Sequence, residues 1–405
     1  MGSPNQDSGQ DSGQDLGRDL GRDLNRDLGR DLGRDAGAVG YTATIVAAKR
    51  VLEQRNPQPL VTDPYALALA GAESGHLLAK WEAVAQNQGI ALAEVLAKRT
   101  RYVAVRTRFF DEAIQAFVRS VGAKALAPQA QVQTQIKPPI QAQVVILGAG
   151  LDTRALRLPE LAEACCYEVD RPEVLAYKVQ CLQTISPVSP VSPVSQSVTA
   201  QSATTQSIAA QSATAQSIAA QPATAQSATD QLATDQLATD QLATVQSIAA
   251  QGRLSRIGAD LAQPQDWFNA LEGQGGSAQC PTFWLLEGVV MYLTAGEAGE
   301  LLRSLRERSS PGSVVGLDGV RSGSIRAAQD LQQQARGRVV RHWQFGHDRP
   351  QDWLQTCGWS AQIFRPSQLP WAKSRYPAHV PESPEIGGYD SERGVWLALA
   401  DPDVA

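Results

Sequence analysis

Four segments of the chain end in residues suited to holding a polar ligand. In QVVILGAGLDTRALRL, the short apolar run Val144 to Leu147 stops at Gly148 and Gly150. A buried parallel strand enters a glycine turn and a helix in this way. CCYEVD then ends in Asp170, SRIGADL near Asp260, and PTFWLLEG at Glu287. In an open parallel sheet a ligand sits outside the carboxyl ends of the strands, close to the point where strand order reverses. An acid about 20 residues past the glycines can accept both ribose hydroxyls of a nucleoside. The loop reads G-A-G-L-D-T, so Thr153 stands where the dinucleotide fingerprint has its third glycine. A G-x-G turn alone equally describes a tight turn with close packing, and without the third glycine a pyrophosphate on the helix N-terminus is disfavoured.

Elements that could position these residues follow from the periodicity. Tyr41 to Glu53 has Ile45, Ala48, Val51 and Leu52 on one helical face, and Leu92 to Val121 carries a longer amphipathic pattern. Between them Pro57, Pro59 and Pro64 break helices, with Thr62 and Asp63 placed to cap a new one. These helices would form a cap ahead of the sheet. A helix from Pro172 to about Gln183 follows the CCYEVD strand, Asp266 to Leu271 is helical, and Gly299 to Arg308 supplies a crossover helix before the strand GSVVGLDGV. GWSAQIFR and GVWLALA read as a closing pair. Strands alternating with helices, followed by that pair, predict a seven-stranded doubly wound α/β sheet.

Two stretches cannot contribute to such a core. Residues 7–35 repeat a tetrad of the QDLG and RDLG type, with a glycine in most units and one leucine in many. That composition cannot offset the entropy of ordering. SPVSPVSPVS at 186–195 leads into pentads of the QSATT and QLATD types over 201–250. A period of five matches neither helix nor strand, so the expectation is a disordered insertion; a small solenoid is the competing reading. The predicted organisation is therefore a tail over 1–38, a catalytic domain over 39–183 and 252–405, and a low-complexity insertion over 184–251. Removing both biased stretches leaves roughly 300 residues, enough for one large α/β domain.

The net charge of −5 argues against a nucleic-acid partner held by a basic surface. No apolar run is long enough to span a bilayer and the N-terminus lacks the order of a secretion signal, so a cytoplasmic location is expected. Cys165, Cys166, Cys181, Cys280 and Cys357 form no C-x-x-C pair, and His76, His342, His347 and His379 show no ligand spacing. No disulfide framework or metal site is predicted.

Taken in order, VRTRFFDE, ILGAGLDTRALRL, YEVDRPEVLAYK, ADL and PTFWLLEGVVMYL resemble the leucine carboxyl methyltransferase family, especially its bacterial S-adenosylmethionine-dependent branch. LGAGLDTR and EGVVMYL are the specific signatures, and the resemblance covers about residues 40 to 400 apart from the pentads. It implies a class I, Rossmann-like methyltransferase fold with S-adenosylmethionine as methyl donor. By this resemblance Arg106 would bind the donor's methionyl carboxylate, a task suited to a planar bidentate cation, with Arg101 and Arg108 as alternatives. Gly148 and Gly150 would let the backbone approach the methionine portion, and Asp170 would hold the ribose. Asp260 would accept from the adenine amino group, with Leu261 packing on the ring or offering its backbone. Glu287 would face the donor; it could equally be an acid at a helix start. Ile146 and Leu147 occupy positions where other class I families carry an acid, which shifts the amine onto backbone carbonyls and Glu287.

The resemblance leaves the acceptor open between a carboxylate or hydroxyl on a small molecule and a protein's C-terminal carboxylate. A carboxylate acceptor is ionised at neutral pH and needs no general base, so no catalytic residue is assigned. A hydroxyl would need one, with His342, His347 or Tyr292 as candidates. Arg338, Arg341 and Arg349 could draw an anionic acceptor, though a solvated basic stretch is the preferred reading of them. A nicotinamide-dependent reductase and a catalytically silent scaffold are the alternatives from other classes.

Overall fold

A computed structural model describes residues 37–126, 141–185, 253–326, 343–376 and 394–402. The tetrad repeat and the pentads lie outside the described residues. The chain begins with helices α1 (Gly37–Glu53), α2 (Ala66–Ala70), α3 (Glu73–Gln88) and α4 (Leu92–Leu126). Then come strand β1 (Gln143–Leu147), the one-turn helix α5 (Arg154–Arg157), β2 (Cys165–Asp170) and α6 (Pro172–Gln183). β3 (Leu254–Gly258), α7 (Pro264–Gly273), β4 (Thr282–Leu286), α8 (Ala295–Glu307) and β5 (Val314–Val320) continue the alternation. α9 (Pro350–Thr356), β6 (Trp359–Phe364) and β7 (Val395–Pro402) close it.

The seven strands form one sheet in the order β3-β2-β1-β4-β5-β7-β6. The first five run parallel, and β7 is antiparallel to both β5 and β6. This is the expected doubly wound sheet, and its order reverses between β1 and β4. Period-two alternation sends successive strand residues to opposite faces. Val145, Leu147, Val169, Trp284, Leu286 and Leu317 pack on one side with Trp267 of α7, Leu302 of α8 and Leu354 of α9. Val144, Ile146, Cys166, Phe283 and Leu285 pack on the other against Phe110, Ile114 and Phe117 of α4.

Several boundaries differ from the sequence reading. β3 stops at Gly258, so Asp260 lies in the turn beyond it rather than at its last residue. α8 begins at Ala295, because Thr294 and Glu297 form a reciprocal capping box there. α3 and α9 were not anticipated. Asp63 does bond the backbone N–H of Tyr65 at 3.1 Å, but α2 starts at Ala66, and the carboxylate's other oxygen has a larger task. Among the described residues no helix is long and apolar enough to cross a membrane, and no cluster of His, Cys, Asp and Glu would hold a metal ion.

Candidate active site

The glycine loop after β1 sits at the reversal of strand order. Gly148 has φ +65° and Gly150 φ +45°, the left-handed region that side chains disfavour. A Cβ at Gly148 would lie 2.6 Å from Val289 Cγ2 and 3.6 Å from Leu261 Cδ1. The loop therefore brings together residues following β3 and β4. Its neighbour across the sheet is Asp170, the last residue of β2. Asp170 Oδ2 accepts from Gly150 N–H at 2.6 Å, and Oδ1 accepts from Arg171 N–H at 2.7 Å. Burial pushes the Asp170 carboxyl above its usual range; the two N–H donors and the charges of Arg171 and Lys178 oppose that push without cancelling it.

The N-terminal helices hold the loop from above. Arg50 of α1 donates through Nη2 to the carbonyl of Leu151 at 2.7 Å, and through Nε to Asp63 Oδ2 at 2.8 Å. Thr153 Oγ1 donates to that same Asp63 oxygen at 2.8 Å. The residue in place of the third fingerprint glycine thus has a structural task that no glycine could perform. Ala47, Ala48, Tyr65 and Leu69 pack against Leu151 and Leu156, covering the loop with the cap.

Arg106 reaches the same rim from α4. Its Nε donates to Glu287 Oε1 at 2.8 Å and its Nη1 to Asp318 Oδ2 at 3.1 Å. The two alternatives on this helix point elsewhere. Arg101 stacks on Tyr376 and donates to the Arg375 carbonyl, and Arg108 pairs with Glu112 and covers Trp371. Glu287 is shared, since its Oε2 lies 2.6 Å from Arg154 Nη2 in an ion pair that lacks hydrogen-bond alignment. Arg154 also donates to Asp111 Oδ1 at 2.7 Å and to Asp152. Burial disfavours the Arg154 charge, yet Asp152, Glu287 and Asp111 outweigh it and hold the guanidinium protonated more firmly than usual. Asp111 is further bonded by both terminal nitrogens of Arg157 at 2.7 Å.

The rim therefore brings Arg106, Gly148, Gly150, Asp170, Leu261 and Glu287 into one connected cluster. Asp260, in the turn beside Leu261, is exposed, and its carboxylate accepts from Ala262 N–H at 3.0 Å. Asp318, Asp111, Asp152, Arg154 and Tyr102 are the members that sequence reasoning passed over. A lone acid inside the apolar strand VVGLDGV signalled that Asp318 needed buried partners. Of the candidate bases, Tyr292 and His347 are both partly buried, and His347 Nδ1 accepts from Arg349 N–H at 3.2 Å; His342 lies outside the described residues.

Known proteins give this arrangement a family. Residues 43–306 match the family model described as leucine carboxyl methyltransferase. A protein of Streptomyces coelicolor, named as a proposed S-adenosyl-L-methionine-dependent methyltransferase, is 27% identical over 284 residues. That match covers 70% of this chain and 66% of the relative, just under two thirds of its length. A Mycobacteroides abscessus protein of the same name is 28% identical over 372 residues, covering 85% of this chain and 90% of that one. A crystal structure of a proposed methyltransferase from Thermobifida fusca superimposes with a TM-score of 0.43 at 13% identity, over 87% of this chain and 98% of the other. The chain belongs to the leucine carboxyl methyltransferase family.

Proposed function

We propose that the protein is an S-adenosylmethionine-dependent methyltransferase acting on an oxygen, a carboxylate or hydroxyl, of a small molecule. The observation that carries this reading is the convergence, at the reversal of strand order, of a loop with two left-handed glycines, a buried acid and a carboxylate-held guanidinium. The set suits a nucleoside bearing an amino acid. Asp170 would accept the ribose hydroxyls, and the backbone at Gly148 and Gly150 would face the methionine portion. Arg106 would take the donor's carboxylate and Glu287 its amine, with Leu261 against the adenine and Asp260 accepting from its amino group. When bound, the donor supplies a methyl group on a positively charged sulfur.

The residues' own task is alignment and exclusion of water, and positioning of this kind can supply on the order of 7 to 11 kcal/mol. A carboxylate acceptor would require no base. Arg349 lines, with Arg321 and Arg365, a groove of about 510 Å³ over the ends of β5, β7 and β6, on the same rim as the donor site. Its arginines support an anionic acceptor, although Asp348 and Asp352 share the lining and Arg349 pairs with Asp352 at 3.2 Å. Arg338 and Arg341 lie outside the described residues. The reading places the enzyme in the cytoplasm, in keeping with five unpaired cysteines.

Calorimetry on the purified protein tests the donor. Heat with S-adenosylmethionine and its demethylated product, and none with NADH, is expected; the reverse pattern would overturn the reading in favour of a reductase. The bond from Thr153 to Asp63, where a dinucleotide site needs its third glycine, weighs against that outcome. Methylated products recovered from a metabolite extract would identify the acceptor and exclude a silent scaffold.

A further inference from the structure

We infer that Asp318, within β5, is a positioning residue for the amino-acid end of the donor and acts through Arg106; this rests on the role proposed for Arg106. Asp318 is fully buried, so it does not itself meet a ligand arriving from solvent. Three donors from two separate elements converge on it. Tyr102 Oη donates to Oδ2 at 2.7 Å, Arg106 Nη1 donates to Oδ2 at 3.1 Å, and Gly288 N–H donates to Oδ1 at 2.5 Å. Tyr102 and Arg106 stand one helical turn apart on α4, whereas Gly288 follows β4. One carboxylate thereby ties the helix that carries the guanidinium to the loop that carries Glu287.

The geometry leaves the guanidinium little freedom. Glu287 takes Nε from one side and Asp318 takes Nη1 from the other. A Cβ at Gly288 would lie 3.3 Å from Arg106 Nη1, so the backbone itself packs against the group. Held at two of its nitrogens, the planar fork is oriented before any ligand arrives, which lowers the entropy of forming a bidentate pair. An asparagine at 318 would keep the shape but present an N–H₂ group to one of its present donors. Either Gly288 N–H or the pair Arg106 and Tyr102 would then face a second donor, and the clamp would lose its register.

The test compares wild type, Asp318→Asn, Arg106→Met and the double variant by calorimetry. The ligands are S-adenosylmethionine, its demethylated product, and 5′-methylthioadenosine, which lacks the amino-acid end. Asp318→Asn is expected to weaken the first two on the order of tenfold and methylthioadenosine by less than twofold. The double variant should bind no more weakly than Arg106→Met alone. With an acceptor in hand, the donor KM should rise while kcat at saturating donor stays within about threefold. Equal weakening of all three ligands, no weakening, or additivity with Arg106→Met would overturn the inference. If Arg106→Met binds S-adenosylmethionine as wild type does, the proposed role of Arg106 fails, and this inference with it. Should Asp318→Asn not fold, Tyr102→Phe removes one donor to the same oxygen without adding another. A selective loss of about threefold would then support the assignment, and an unselective one would overturn it.

Discussion

Asp170 is the residue whose protonation donor binding should report. Its carboxyl sits above the ordinary 3.8 because burial disfavours the charge more than Gly150, Arg171 and Lys178 favour it. A raised value means that protonation sets in at a higher pH on the way down, and a protonated carboxyl cannot accept from both ribose hydroxyls. Affinity for S-adenosylmethionine should therefore fall on acidification earlier than an unperturbed aspartate would dictate. Asp170→Asn should weaken the donor at least tenfold at neutral pH and remove that acid limb, as titration calorimetry across the acid-to-neutral range would show. An unchanged limb in the variant would assign it to another group. Gly148 gives a second test at this scale. Gly148→Ala forces a Cβ into the left-handed region and to within 2.6 Å of Val289 Cγ2. The cost should be about 1–3 kcal/mol in denaturant unfolding. Val289→Ala in the same chain should restore only the part due to the clash, leaving the backbone strain.

Among the elements, α4 does the most to join cap and sheet. Its apolar residues cover one sheet face while Arg106 and Asp111 reach toward the rim and α5. Asp111 neutralises two buried arginines at once, accepting from Arg154 Nε and from both terminal nitrogens of Arg157. Removing one partner of a buried ion pair strands the other, at about 3–5 kcal/mol. Asp111→Ala should lose about 3 kcal/mol, near the lower end, because Arg154 keeps Asp152 and Glu287. Urea unfolding would check this, and a loss below about 1 kcal/mol would show that the arginines find water instead. Element types were largely legible in the sequence. CCYEVD and Pro172 to Gln183 carry patterns so clear that β2 and α6 span those very residues. T-A-G-E carries the signature of the α8 start, ahead of the helical stretch predicted from Gly299. Leu77, Trp81 and Ala85 at helical spacing could have revealed α3. The cluster's partnerships were not legible, because Arg106 and Asp318 are 212 residues apart and only the packed sheet brings them together.

At the scale of the whole molecule, the two edges of the sheet have different duties. The carboxyl ends of the strands gather the proposed donor site, and the amino ends carry the connection to the pentads. Cys166, near the start of β2, donates to the carbonyl of Arg253, and Leu254 opens β3 beside it. The described chain therefore re-enters at the edge opposite Gly148, Asp170 and Glu287. Before the pentads, α6 follows β2 and runs back from the rim, ending at Gln183, and Ile185 and Leu254 pack against the same apolar cluster. Both attachment points lie at the far edge, and lengthening a surface connection costs only about 0.6 kcal/mol per doubling. Replacing residues 186–250 by a short glycine–serine linker should thus leave the affinity for S-adenosylmethionine within about threefold. The melting temperature should change little, because helices outside residues 186–250 cover both sheet faces. Calorimetry and thermal unfolding of the shortened protein measure both. A tenfold loss of affinity with an unchanged melting temperature would mean that the repeats reach around the molecule to the donor rim.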